Sequence, residues 1–124
     1  MIRVSWSTRL VTRSDDGYVF SAISFCVETT DWVLVELGNF LAKSSIRNLF
    51  AAFVRDLPTD PRFEIIAADR DQFESGCALY DARPDKAWSL TDCISMVVLE
   101  QRSIRDVFTA DHHFEQAGYK ILLK

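Results

Sequence analysis

A chain of 124 residues suits one compact domain, and an apolar fraction of 48% is enough to build a sizeable core, which excludes a disordered chain. Charged residues make up 26% and the formal net charge is -4, without the net basic balance typical of nucleic-acid binders. Any hold on a nucleic acid would therefore need local Lys and Arg clusters helped by a metal ion. No apolar run approaches the roughly 18 residues that span a bilayer. The opening MIRVSWSTRL lacks the continuous apolar region of a signal peptide, so the cytoplasm is the expected compartment.

In chain order, IRVSW alternates apolar and polar residues like a short strand over residues 2 to 6. SDDG at 14 to 17 is a turn signal, and YVFSAISFCV at 18 to 27 has the β-branched and aromatic content of a buried strand. The first quarter thus reads as a hairpin. Thr29, Thr30 or Asp31 can cap a helix from about Trp32 to Lys43. Ser44 or Ser45 caps the next, in which Ile46, Leu49, Phe50, Phe53, Val54 and Leu57 recur at spacings of three and four. Pro58 and Pro61 end it.

FEIIAA at 63 to 68 is a short apolar strand, and DRDQFESGCALYDA at 69 to 82 a helix with Phe73, Cys77 and Tyr80 on one stripe. RPDKAW is a loop. From Ser89 or Thr91 a helix runs to about Gln101, with Ile94, Val97 and Val98 facing inward. DVFTAD at 106 to 111 is a strand ending in a carboxylate, HHFEQAG a short helix closed by Gly118, and YKILL a last strand. Strands alternating with helices predict an α/β layered fold with a mainly parallel sheet, whose functional groups gather at the carboxyl ends of the strands. Asp111 stands at such an end.

Three cysteines, Cys26, Cys77 and Cys93, are scattered without a CxxC pair and read as reduced, buried thiols. Three carboxylates stand out. Glu36 shares its helix face with Trp32, Val33, Asn39 and Phe40, so it is either a flank residue reaching solvent or a carboxylate that needs a partner. Asp92, in WSLTDC, sits in the first turn of a helix, where the macrodipole favours it as an ordinary capping residue. Asp111 can equally cap the helix that follows it. Were they to converge within about 4 Å, each pair would repel by roughly 4 kcal/mol at an effective dielectric near 20. A divalent cation removes that penalty, and Mg²⁺ prefers carboxylate oxygen.

Three segments, TTDWVLVELGNFLA, ARPDKAWSLTDCISMVV and FTADHHFEQAGYKILL, resemble the PIN-domain proteins, in particular the VapC-like ribonuclease toxins of bacterial type II toxin–antitoxin pairs. The likeness covers roughly residues 28 to 124. It implies a three-layer α/β/α fold, here a single PIN-like domain over residues 1 to 124. It also implies acidic residues gathered around Mg²⁺ or Mn²⁺, and cleavage of single-stranded RNA. By the same resemblance Glu36 in LVELGN, Asp92 in SLTDC and Asp111 in TADHHF are the metal and catalytic positions, and the partners are an RNA substrate, a cognate antitoxin and a second copy of the chain. The family's first acidic position has no counterpart in residues 1 to 22: Ser5 stands where Asp is expected, and Asp15 and Asp16 sit in SDDG. A PIN-fold remnant, impaired in catalysis and acting only through protein–protein interaction, is the alternative reading. A small α/β domain with surface acids and no site is a third.

His112 and His113 read as residues that cap or pack the short helix rather than ligands. Trp88 reads as core, with base stacking as the alternative. Arg83, Lys86, Arg102 and Arg105 read as solvated surface, with phosphate contact as the alternative.

Overall fold

The computed structural model describes the backbone of residues 4–13 and 20–123 and the side chains from Val27 on. The elements follow as β1 (Val4–Arg13), β2 (Phe20–Thr30), α1 (Asp31–Leu41), α2 (Arg47–Asp56), β3 (Phe63–Ile66), α3 (Arg70–Ala82), α4 (Leu90–Gln101), β4 (Asp106–Phe108), α5 (His112–Gln116) and β5 (Lys120–Ile121). One turn of 3-10 helix, Leu57–Thr59, follows α2 where Pro58 stops it.

The strands form one sheet in the order β3-β2-β1-β4-β5. β2 pairs parallel with β3, and β4 with β5, while β1 is antiparallel to both β2 and β4. The expected mainly parallel sheet therefore holds for β2 to β5, which share one direction. The central β1 runs against them. Residues 14 to 19 are too few for a crossover, which needs a dozen or more, so β1 and β2 close as the predicted hairpin. Both strands are longer than their sequence signals: β1 runs to Arg13, and β2 extends to Thr30, where Thr29 and Thr30 pair with Ile65 and Ile66. The SDDG turn lies outside the described residues.

Thr30 caps α1 by accepting from the Val33 amide at 3.3 Å. Asp69 caps α3 and forms a reciprocal box with Gln72. α3 buries Gln72 and Gly76, whereas Tyr80 is exposed, so the predicted stripe through Phe73, Cys77 and Tyr80 is turned away from the core. The cause is Gly76. A Cβ there would overlap Ile94 Cγ1 and stand 3.1 Å from Ile94 Cα, so the missing side chain sets how closely α3 and α4 pack. α4 is buried on most sides: Cys93, Ile94, Met96, Val98 and Leu99 join the core, and each large apolar side chain contributes about 1.5–3 kcal/mol by leaving water. Burial also pushes the Cys93 thiol up, which fits the reading of an inert core cysteine.

At the end of α4, Arg102 donates to Glu28 Oε2 at 3.1 Å and to Glu64 Oε1 at 2.7 Å. Glu28 and Glu64 are register partners on β2 and β3, so one guanidinium relieves two adjacent like charges. α5 closes at Gly118 with φ of 90°, the left-handed position predicted for it. No helix of the described residues is long and apolar enough to cross a membrane.

Candidate metal centre

After β4 the chain passes through the buried Thr109 to Asp111. The Asp111 amide donates to Thr109 Oγ1 at 3.1 Å, and Asp111 Oδ1 accepts from the His113 amide at 3.0 Å. Asp111 is thus the N-cap of α5. Asp92 is 3% exposed at the start of α4. Ser89 donates its amide to Asp92 Oδ2 at 2.9 Å, and Ser89 Oγ accepts from the Asp92 amide at 3.0 Å. Both aspartates therefore do the capping that their positions predict, and both point from helix N-termini, whose partial positive charge favours carboxylates.

The two caps also converge. His113, two residues beyond Asp111, places Nδ1 3.3 Å from Asp111 Oδ1 and 3.5 Å from Asp92 Oδ2. That nitrogen is buried and has no hydrogen-bond partner of adequate geometry among the described residues. The three side chains offer donor atoms that all lie within 4.8 Å of one another. Two carboxylates at such spacing repel by roughly 3–4 kcal/mol at an effective dielectric near 20, a cost that a cation between them removes.

Glu36 is half-buried on α1, which packs against α4, but it is not among the groups within that 4.8 Å. The start of β1 lies beside the end of β4, with Val4 opposite Phe108 and Ser5 opposite Val107, so the position that lacks the expected Asp is at the same sheet edge. Asp15 and Asp16 fall outside the described residues. Among the described residues no other Asp, Glu, Cys or His joins the cluster.

His113 is expected to cap or pack the short helix, and its amide does serve the α5 cap. Its ring in addition lies beside the two carboxylates. Trp88 is 6% exposed and packs in the core, as expected, under the Arg83 guanidinium at 5.2 Å. The three arginines singled out in the sequence have intramolecular partners. Arg83 pairs with Asp85 and holds its carboxyl at about 2, and Arg105 pairs with Glu100.

No family model matches this chain, and no curated protein sequence matches it. Among solved structures it is similar to VapC20 of Mycobacterium tuberculosis, described as a sarcin-ricin loop cleaving toxin. The TM-score is 0.67 and the identity 19%, over 76% of this chain and 72% of that one. The chain therefore has the α/β fold of the VapC-like PIN-domain proteins.

Proposed function

We propose that this protein is a metal-dependent endoribonuclease of the PIN type, the toxin of a type II toxin–antitoxin pair, acting on single-stranded RNA. The observation that supports this most is the meeting of Asp92 and Asp111, from segments far apart in sequence, at the carboxyl edge of the parallel strands in a VapC-like fold. The donor set fits a divalent cation: two carboxylates beside a buried, orphaned nitrogen. Asp92 and Asp111 would hold Mg²⁺ or Mn²⁺, with Glu36 on the neighbouring α1 as the third carboxylate of the set. A bound ion of this kind supplies an activated water and offsets the charge that develops on a phosphodiester. The Ser89 amide on Asp92 and the His113 amide on Asp111 would hold the two carboxylates in place before substrate arrives.

The exposed apolar face of α1 and α2 supports a protein partner. Phe40 is 79% exposed, Val35 58% and Leu49 55%, and no residue of α2 is buried. A second copy of the chain or an antitoxin segment would cover it. A second reading, a PIN-fold protein that binds partners without cutting RNA, is favoured by that face and by the cluster itself, in which among the described residues no third acid joins Asp92 and Asp111. Incubation of single-stranded RNA with the protein and Mn²⁺ or Mg²⁺ separates the two. The nuclease reading expects cleavage that disappears in Asp92→Asn. Equal RNA integrity with wild type and variant leaves only the binding protein.

A further inference from the structure

We infer that His113 Nδ1 is itself a metal donor, which makes the centre a mixed oxygen and nitrogen site that prefers Mn²⁺ over Mg²⁺. The inference rests on the reading of Asp92 and Asp111 as metal-holding groups and goes beyond it in the donor set. His113 Nδ1 is the apex between the two carboxylates, 3.3 Å from one and 3.5 Å from the other. Neighbouring donors around one octahedral ion with bonds of about 2.1 Å stand ~3.0 Å apart. The two His113 contacts are within a few tenths of an ångström of that spacing, and all three donor atoms lie within 4.8 Å of one another.

The nitrogen is buried and makes no hydrogen bond of adequate geometry among the described residues, with the two carboxylates at 3.3 and 3.5 Å as polar neighbours. A buried imidazole nitrogen costs free energy unless a partner meets it, and between two carboxylates that role falls either to its own proton or to a cation in the proton's place. Its backbone is pinned, since the His113 amide donates to Asp111. The ring is further bounded by His112, with centroids 4.7 Å apart. Imidazole is a poor ligand for Mg²⁺ and a good one for first-row transition ions, so a donor set of two carboxylates and one imidazole selects among divalent cations by ligand chemistry.

The test uses the whole protein with Mn²⁺ and Mg²⁺ alone as probes. Titration calorimetry on wild type, His113→Ala and His113→Gln reads the affinities, and electron spin echo of bound Mn²⁺ reads nitrogen ligation directly. The expected results are nitrogen modulation from a histidine in wild type and in His112→Ala, and its loss in both His113 variants. Mn²⁺ affinity should fall about 10–100-fold in those variants, with a smaller change for Mg²⁺. Mn²⁺ bound by wild type without nitrogen modulation overturns the inference and leaves the nuclease reading standing. So does Mn²⁺ affinity that is unchanged in the variants. Failure of wild type to bind either ion removes both together.

Discussion

Ser89 and Asp92 exchange hydrogen bonds, amide to carboxylate at 2.9 Å and amide to hydroxyl at 3.0 Å, so the same carboxylate that faces Asp111 and His113 also fastens the start of α4. Substitutions at Asp92 therefore separate two roles. Asp92→Asn keeps an oxygen for the Ser89 amide and removes the charge. It should lose RNA cleavage and the rise in melting temperature that Mn²⁺ gives wild type, while remaining close to wild type in metal-free stability. Asp92→Ala loses the box as well and should be less stable than Asp92→Asn by about 0.5–2 kcal/mol. Thermal melts with and without Mn²⁺ check both; equal metal-free stability of the two variants would show that the box contributes nothing.

Gly76 sets the approach of α3 to α4. Gly76→Ala must push against Ile94 backbone as well as its side chain. The expected cost is about 1–3 kcal/mol, the range for overpacking a filled core, despite the higher helix propensity of Ala. Urea unfolding measures it, and a variant as stable as wild type would show that the helices can part freely.

Thr29 carries the opposite expectation. Its side chain is buried on β2 and its hydroxyl has no hydrogen-bond partner among the described residues, beside a small cavity of about 30 Å³. Thr29→Val keeps the shape and the β-branching while removing an unsatisfied polar atom. The variant should gain about 1 kcal/mol in chemical denaturation, and a loss of stability would mean that the hydroxyl is satisfied in solution.

The exposed apolar face on α1 and α2 predicts self-association. Light scattering should return twice the chain mass for wild type and the single mass for Phe40→Glu combined with Leu49→Glu. Both side chains are exposed in the isolated chain, so the double variant should keep its fold by circular dichroism. A wild-type protein that stays monomeric would assign the face to a different partner.

Much of the fold was legible because local signals agreed with the final packing. Thr30, Ser89 and Gly118 mark helix boundaries by local chemistry alone, and each does so in the structure. The direction of β1 and the buried face of α3 were less legible, since the first follows from strand pairing and the second from how closely α4 approaches Gly76. In the site, Asp92 and Asp111 could be singled out by position. Their meeting depends on tertiary placement of α4 against α5, which no local pattern encodes. His113 has the ordinary local explanation of a residue in a helix cap, and its nearness to Asp92 likewise depends on that tertiary placement. Glu36 was singled out by its apolar face, and it stands apart from the 4.8 Å group.

The central claim is that Asp92 and Asp111 share one divalent ion. Diffraction from crystals grown with Mn²⁺, measured at a wavelength where manganese scatters anomalously, tests it most directly. The account predicts one strong anomalous peak within coordination distance, about 2.0–2.3 Å, of a carboxylate oxygen from each aspartate. A map with no peak there, and with the two carboxylates held only by protein groups, would contradict it.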